Sequence, residues 1–306
     1  DEAIKVEGDT IPWRFSKNLK STLKELYLNN QLDVIHIHGV WMHPQYAAAK
    51  FAKQNNIPFL ITCHGMYEPW LWSQGTLKKK IYFNQVVKSA FSKANYLHAI
   101  TANEANEISA LFPGTPIIEI PNLIDSEQAI KGEYNTDEKY ILYLGRLDPK
   151  KGIDLLIRAF AELDPVDFKL KIAGNFNAYK QELDELVKSL KLENKVEFLG
   201  LVTGEAKKEL FKNAFVFVAP SHSEVVGMVN LEAAIYKTPV ITTFQTGLKK
   251  EWSNNGGFLV NPDIKELRSA LETVLSWTVE RRNENGLKLH NFVLKEYSWQ
   301  YRFNDW

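Results

Sequence analysis

Two carboxylates, Glu224 and Glu232, have seven residues between them in the stretch SHSEVVGMVNLEA. An apolar block, FVFVAP, precedes the stretch, and a helix-like pattern begins at its glycine. The first amides of a helix have no partner within the helix, so they form a natural binding site for an anion. We therefore expect Gly227, Met228 and Val229 to offer free backbone N–H groups to a phosphate. The two carboxylates would repel a phosphate, so we expect them to bind hydroxyl groups on either side of it.

A second stretch, GRLDPKKG, contains two cations, Arg146 and Lys151, close to two glycines. An arginine offers a planar fork of donors and a lysine a point charge, and both suit a phosphate or diphosphate. The glycines, Gly145 and Gly152, allow the backbone to approach a ligand closely. These residues predict a diphosphate site.

Apolar segments alternate with helical patterns along the whole chain. The strand-like segments are DVIHIHG, PFLITCHG, NYLHAIT, PIIEIPN, YILYLG, LKIAG, KVEFLG, FVFVAP, PVITT and GFLV. The clearest helical pattern is GIDLLIRAFAEL. This alternation predicts an α/β protein made of two doubly wound, Rossmann-like domains with parallel sheets.

The carboxyl ends of the strands are where ligands bind in such sheets. The cation loop follows YILYLG, and the glutamate stretch follows FVFVAP, so we expect both on one rim. Gly174 ends LKIAG and Asn175 follows it, and Val202 comes shortly after KVEFLG, so these three residues join the predicted site.

Three segments are predicted. Residues 1–135 form the first domain, residues 136–292 a second domain that carries the predicted diphosphate site, and residues 293–306 a final helix. The polar, weakly patterned stretch SEQAIKGEYNTDEK is the expected linker.

The composition is that of a folded protein without a strong charge bias. Among 306 residues, Lys plus Arg and Asp plus Glu both total 37, which gives no overall attraction to nucleic acid. The single cysteine, Cys63, forms no internal disulfide and is expected to pack as a small hydrophobe in a cytoplasmic protein. No apolar run has the length of a membrane-spanning helix. We expect at most peripheral contact with the inner face of the membrane.

Histidines and tryptophans near strand ends invite other interpretations. His36, His38 and His43 lack acidic or cysteine partners at a metal-site spacing, so we expect no metal and assign them to the core or the rim. His64 follows a strand within HGM, and we expect it to be functional. Trp41, Trp70 and Trp72 either stack on sugar rings or pack in the core.

In their order along the chain, GRLDPKKG, IAGN, VEFLGLV and SEVVGMVNLEAA resemble the nucleotide-sugar half of the family-4 retaining glycosyltransferases. The resemblance extends through DVIHIHG, HGMYEPW and IPNLID in the first half. It implies the GT-B fold, in which two domains face each other across a cleft. It also implies transfer of a hexose, with retention, from a UDP- or GDP-linked sugar to a glycan or lipid-linked acceptor. The HGMYEPW stretch resembles members that build capsular or exported polysaccharides. The family generally works without a metal, and we expect no cofactor.

The resemblance assigns a role to each site residue. Glu224 would hold hydroxyls of the donor sugar near the reacting carbon, and Glu232 the ribose hydroxyls. Arg146 and Lys151 would neutralise the departing diphosphate.

In the remaining assignments, Val202 would hold the base through its backbone, and His64 would face the donor sugar or its phosphate. The chain also departs from the family pattern. The usual first strand and its glycine-rich loop have no counterpart, so we expect an N-terminal piece to be absent. Leu123 stands where a glycine is common, and Val225 and Val226 stand where a small or polar residue and an aromatic are frequent.

Three alternative functions stay open. Glu224 and Glu232 would also suit the acid and base of a glycoside hydrolase, but that function leaves Arg146 and Lys151 unused. A nucleotide-sugar epimerase of the same fold and a non-catalytic nucleotide-binding homologue use the same residues.

Overall fold

The chain divides into two compact units, Asp1–Pro121 and Asn122–Trp306, called unit 1 and unit 2. The structure is a computed structural model that describes residues 3–7, 13–68, 76–125, 134, 138–163 and 167–305. Each unit contains a parallel β-sheet with helices in the connections between its strands.

Unit 1 contains four described strands in the order β1-β2-β3-β4. They are β1 (Ile35–His38), β2 (Phe59–Thr62), β3 (Tyr96–Ala99) and β4 (Ile117–Glu119). The helices are α1 (Leu19–Leu28), α2 (His43–Asn55), α3 (Thr76–Tyr82), α4 (Lys88–Phe91) and α5 (Ala102–Leu111). A π-helical turn, Phe83–Val87, joins α3 to α4.

The sequence predicted most of unit 1. Its four strands are confirmed, and their inward side chains form one apolar core that includes Ile37, Ile61 and Leu97. Helix α1 was not predicted from the sequence. Its residues LKSTLKELYL are partly exposed throughout, so its apolar face contributes no fully buried residue that would mark the pattern clearly.

Unit 2 contains six described strands in the order β10-β9-β8-β5-β6-β7, all parallel. They are β5 (Tyr140–Leu144), β6 (Lys169–Ala173), β7 (Val196–Gly200), β8 (Val216–Ala219), β9 (Val240–Thr243) and β10 (Phe258–Val260). The chain fills one side of the sheet and then returns to the middle, so the order reverses between β5 and β8. This reversal is a topological switch point, where the loops leaving two adjacent strands diverge and open a crevice.

Seven helices are described in unit 2. They are α6 (Ile153–Ala161), α7 (Tyr179–Ser189), α8 (Gly204–Lys212), α9 (Met228–Ile235), α10 (Ile264–Leu275), α11 (Val279–Tyr297) and α12 (Trp299–Arg302). Helix α6 buries Leu156, Ile157 and Phe160 against the sheet, as its spacing predicted. The helical tail is confirmed, but Thr278 caps a new helix and interrupts it.

The predicted segment boundaries stay predictions. Most of the expected linker, residues 126–133 and 135–137, lies outside the described residues. The predicted boundary at residue 293 falls within α11, and the return of residues 293–306 to the first domain is untested. Within the described part of the chain, no helix has the length and apolar character needed to cross a membrane.

Candidate functional site

A cavity of about 310 Å³ lies at the carboxyl ends of β5 and β8 in unit 2. Six of the predicted site residues line it: Arg146, Lys151, Glu224, Gly227, Met228 and Val229. The cation loop leaves β5 and the glutamate stretch leaves β8, and these strands pair directly. The switch point therefore brings together two motifs separated by more than seventy residues of sequence.

Gly152 allows the two loops to meet. Its φ is +65°, and a Cβ atom there would lie 2.2 Å from the carbonyl oxygen of Pro220. Only glycine tolerates both conditions without strain. The His222 N–H donates to the Lys150 carbonyl over 2.8 Å and joins the loops a second time.

Glu224 is anchored on several sides. Its carboxylate forms an ion pair with Lys151 Nζ and accepts from Ser221 Oγ at 3.2 Å. Its backbone N–H donates to the Gln245 carbonyl over 2.8 Å, just after β9. Both members of the ion pair are largely shielded, with side-chain exposures of 16% and 18%. The site therefore holds a carboxylate and a cation in fixed contact inside the cavity.

The amides at the start of α9 are less available than predicted. Gly227 N–H donates to the Thr246 carbonyl over 3.3 Å, and Met228 N–H donates to the Val226 carbonyl over 2.9 Å. The prediction of three free amides was therefore wrong for two of them. The loop after β9, which the sequence did not point to, supplies one of these acceptors. Among the described residues, only the Val229 N–H of the three has no acceptor.

Asn230 fills the space directly beneath Gly227. A Cβ atom on Gly227 would lie 2.3 Å from Asn230 Nδ2, so this glycine is needed for close packing as well as for the turn. Asn230 is fully buried, and its side-chain amide has no hydrogen-bond partner among the described residues.

Glu232 is not part of this cavity. It lines a second cavity of about 340 Å³ with Lys207, Phe211 and Tyr236, and its carboxylate lies 2.6 Å from Lys207 Nζ. The second cavity lies between α8 and the second half of α9, which ends at Ile235. The two glutamates therefore serve two neighbouring pockets, an arrangement unlike the facing pair of carboxylates in a hydrolase.

Three further predicted residues lie outside the lining of the first cavity. Gly174 is a spacer between loops, because a Cβ atom there would lie 2.2 Å from the Gly145 carbonyl oxygen. Asn175 is exposed and Val202 is half-buried. Their assignment to donor binding stays a prediction.

Unit 1 contains a separate chain of hydrogen bonds through two histidines. The Ile120 carbonyl can only accept, so His98 Nε2 donates to it, over 2.7 Å. The neutral His98 ring then accepts from the Thr62 hydroxyl at Nδ1, over 2.8 Å, and Thr62 Oγ1 accepts from His36 Nε2, over 2.7 Å. Burial lowers the pKa of His98, and burial with the neighbouring histidines lowers the pKa of His36 to about 4. Both rings are therefore neutral near pH 7.

His64 lies beside this chain, directly after β2. Its Nε2 lies 2.8 Å from His38 Nδ1, and burial lowers its pKa. Its φ is +54°, a left-handed conformation that is uncommon for a residue with a side chain. Strain of this kind clusters at functional sites.

Glu104 secures the strained turn at His64. Its buried carboxylate accepts from the Gly65 N–H over 2.5 Å and from the Ile100 N–H over 2.8 Å. Burial raises the pKa of this carboxyl group, while the two amides act in the opposite direction. Sequence reasoning missed this role, because the contact joins Glu104 to a turn that is distant along the chain.

The other unit 1 residues behave as packing groups. Cys63 is buried, which confirms its packing role, and burial raises the pKa of its thiol. The His43 ring lies 5.0 Å from that of Trp13, and Trp41 Nε1 donates to the Met66 carbonyl while its ring contacts Tyr67. Trp70 and Trp72 lie outside the described residues. Across the described ranges, no group of three or more His, Cys, Asp or Glu side chains is arranged to hold a metal ion.

Comparison with known families shows which family the chain belongs to. A family model described as "Glycosyl transferases group 1" matches residues 125–286, more than half of the chain. The chain belongs to this family. A second model, described as "Glycosyltransferase Family 4", matches residues 7–128, and together the two matches confirm the resemblance seen in the motifs.

Curated relatives carry glycosyltransferase names. An uncharacterized glycosyltransferase of Methanocaldococcus jannaschii is 38% identical over 53% of this chain and 42% of its own length. Mannosylfructose-phosphate synthase of Agrobacterium fabrum is 39% identical over 40% of this chain and 29% of its own length. The chain thus spans less than half the length of these two relatives.

Solved structures confirm the GT-B fold. Sucrose-phosphate synthase from Thermosynechococcus elongatus superposes with a TM-score of 0.76 at 21% identity, over 97% of this chain and 79% of that one. The Anabaena protein HepE, solved in complex with UDP-glucose, gives 0.75 at 18% identity, over 95% of this chain and 81% of that one.

Proposed function

We propose that this glycosyltransferase moves a hexose from a UDP- or GDP-linked sugar to a glycan or lipid-linked acceptor, with retention of configuration. We place this reaction in polysaccharide biosynthesis in the cytoplasm, with at most peripheral contact with the membrane. The observation that carries the proposal is the cavity at the switch point, where Arg146, Lys151 and Glu224 meet at the start of α9. The complex of HepE with UDP-glucose supports a donor of this class.

The ion pair between Lys151 and Glu224 fits a ligand that carries both phosphates and hydroxyls. Without donor, each side chain neutralises the other. A nucleotide sugar offers a phosphate to Lys151 and sugar hydroxyls to Glu224, so binding replaces one ion pair by two charge-assisted contacts. Ser221 keeps Glu224 in place during this exchange.

Arg146 and Lys151 also supply what the reaction requires. Breaking the bond between sugar and phosphate develops negative charge on the departing diphosphate and positive charge on the sugar. Fixed cations at the leaving group stabilise this charge as it appears, and they need no reorganisation to do so. The proposal therefore requires no metal ion.

The neighbouring cavity is the proposed position of the nucleoside. Glu232 would exchange its contact with Lys207 for the ribose hydroxyls, and the distance along α9 separates it from the phosphates. In this arrangement Glu224 and Glu232 bind the two sugars on either side of a diphosphate.

Product analysis tests the proposal against its alternatives. The protein is incubated with UDP-glucose, GDP-mannose and related donors, with and without sugar acceptors, and the products are followed by proton NMR. A transferase releases UDP or GDP and forms a product with the anomeric configuration of the donor. Conversion of the donor alone into an isomer would instead identify an epimerase, and binding without turnover a non-catalytic homologue.

A further inference from the structure

His38 and His64 share a single hydrogen bond between their rings. His38 Nδ1 and His64 Nε2 lie 2.8 Å apart, and the ring centroids are 5.1 Å apart with an interplanar angle of 23°. A neutral imidazole carries one proton, so one of these nitrogens donates and the other accepts. The position of the proton on His64 is thus coupled to that on His38.

Neighbouring rings and hydrogen bonds hold this pair in place. The His36 ring lies 4.1 Å from the His38 ring, and His36 donates from Nε2 to Thr62 in the chain of hydrogen bonds that ends at Ile120. Burial and the neighbouring His38 ring lower the pKa of His64. The buried carboxylate of Glu104 accepts from the Gly65 and Ile100 amides and so holds the turn that carries His64.

Hydrogen bonds fix the backbone near both histidines, so the position of the proton between the two rings is what can still change. Glu104 fixes the turn at Gly65, and Gln45 Nε2 donates to the His38 carbonyl over 3.1 Å. Among the described residues, His64 Nδ1 has no protein partner, so Nδ1 is the ring nitrogen available to a ligand. Oxygens of a phosphate ester only accept hydrogen bonds, whereas hydroxyls both donate and accept. A protonated Nδ1 therefore suits either part of a nucleotide sugar, and a bare Nδ1 suits only the hydroxyls.

We propose that His38 is a positioning residue that sets the tautomer of His64. His38 donates from Nδ1 to His64 Nε2, so His64 carries its proton on Nδ1 and offers it to an oxygen of a ligand. The ligand contact rests on the proposed function, whereas the tautomer is a property of the protein alone.

Two variants of His38 separate the ring contact from folding. His38→Asn keeps an amide N–H near the position of Nδ1, and His38→Leu removes the donor. His38 is exposed at the end of β1, so both variants are expected to fold, which circular dichroism and thermal melting verify.

Nitrogen-15 NMR of the imidazoles reports the tautomer directly. We expect His64 to carry its proton on Nδ1 in the unchanged protein and in His38→Asn, and to shift toward protonation at Nε2 in His38→Leu. Turnover should fall about tenfold in His38→Leu and at most threefold in His38→Asn.

Two results would overturn the proposal: protonation of His64 at Nε2 in the unchanged protein, or an unaltered tautomer in His38→Leu. Failure of the proposed function has a different signature. In that case the tautomers shift as described, but the unchanged protein neither binds UDP or GDP nor transfers a sugar.

Discussion

The two units prepare their functional side chains in opposite ways. In unit 2, Arg146 and Lys151 line the cavity as cations, and Lys151 is held by the carboxylate of Glu224. In unit 1, burial and mutual repulsion hold His36 and His64 neutral. A reaction that releases a diphosphate needs positive charge at the leaving group. Elsewhere it needs donors that do not add a second cation beside the positively charged sugar. The contrast teaches that unit 2 fixes charges in its cavity, whereas unit 1 fixes the positions of protons on neutral rings.

Removing the cations should have the largest effect on activity. Arg146→Ala or Lys151→Ala should each lower turnover ~10²–10³-fold, as for other preorganised groups that stabilise a developing charge. Lys150→Ala is the matched control, because Lys150 lies in the same loop but does not line the cavity. Steady-state release of UDP or GDP measures the effect. A loss in Lys150→Ala as large as in Lys151→Ala would show that general loop charge, and not placement in the cavity, matters.

The next largest effect is expected on folding stability, where the loops after β5 and β8 approach each other at Gly152. Gly152→Ala adds a Cβ atom at positive φ against the Pro220 carbonyl and should lower the free energy of unfolding by about 3 kcal/mol or more. Gly204→Ala also has positive φ but meets no atom within 4 Å, so it should lose only about 1 kcal/mol. Urea denaturation compares the two variants. Equal losses would mean that backbone strain alone matters and that the contact between the loops does not.

The ion pair predicts a gain in affinity for one ligand. Glu224→Gln removes the carboxylate that competes with phosphate for Lys151, so UDP or GDP without a sugar should bind about fivefold more tightly, which corresponds to about 1 kcal/mol. The same change should lower the rate of sugar transfer, because a donor hydroxyl loses its acceptor. Calorimetry with the nucleotide and a transfer assay measure the two effects. Weaker binding of the nucleotide would contradict the exchange of partners proposed for Lys151.

As the pH falls, the folding stability of unit 1 should decrease before that of unit 2. Burial lowers the pKa of His43, His64 and His98, and burial with neighbouring histidines lowers that of His36 to about 4. The unfolded chain takes up protons near pH 6.5 that the folded unit does not, so stability falls as the pH drops from about 6.5 toward 4. In unit 2, His290 is the one described histidine with a lowered pKa.

Hydrogen exchange measured at pH 7.5 and 5.5 tests this order, after correction for the intrinsic effect of pH on exchange. Amide protection should decrease more in β1–β3 than in β5–β9. His36→Gln, which retains a donor toward Thr62, should reduce the difference. An earlier loss of protection in unit 2 would contradict the assignment.

The sequence predicted the strands and the cavity better than it predicted the contacts within the cavity. The alternating apolar segments predicted all ten described strands. The positions of their carboxyl ends predicted which loops meet at the cavity of unit 2. Two contacts were not predicted. The Thr246 carbonyl accepts from the Gly227 N–H, and the Glu104 carboxylate holds the turn at His64. Both are contacts between residues distant along the chain, which no local pattern encodes. Ser221 was within the quoted motif, and its hydroxyl so close to a carboxylate was a signal that could have been used.

The central claim is that the cavity at the switch point binds a diphosphate through Arg146 and Lys151. Calorimetric titration with UDP and with GDP tests it most directly, on the unchanged protein and on the double variant Arg146→Ala, Lys151→Ala. We predict binding of one of the two nucleotides by the unchanged protein and loss of that binding in a folded double variant. Equal affinity of the two proteins for the same nucleotide would contradict the claim.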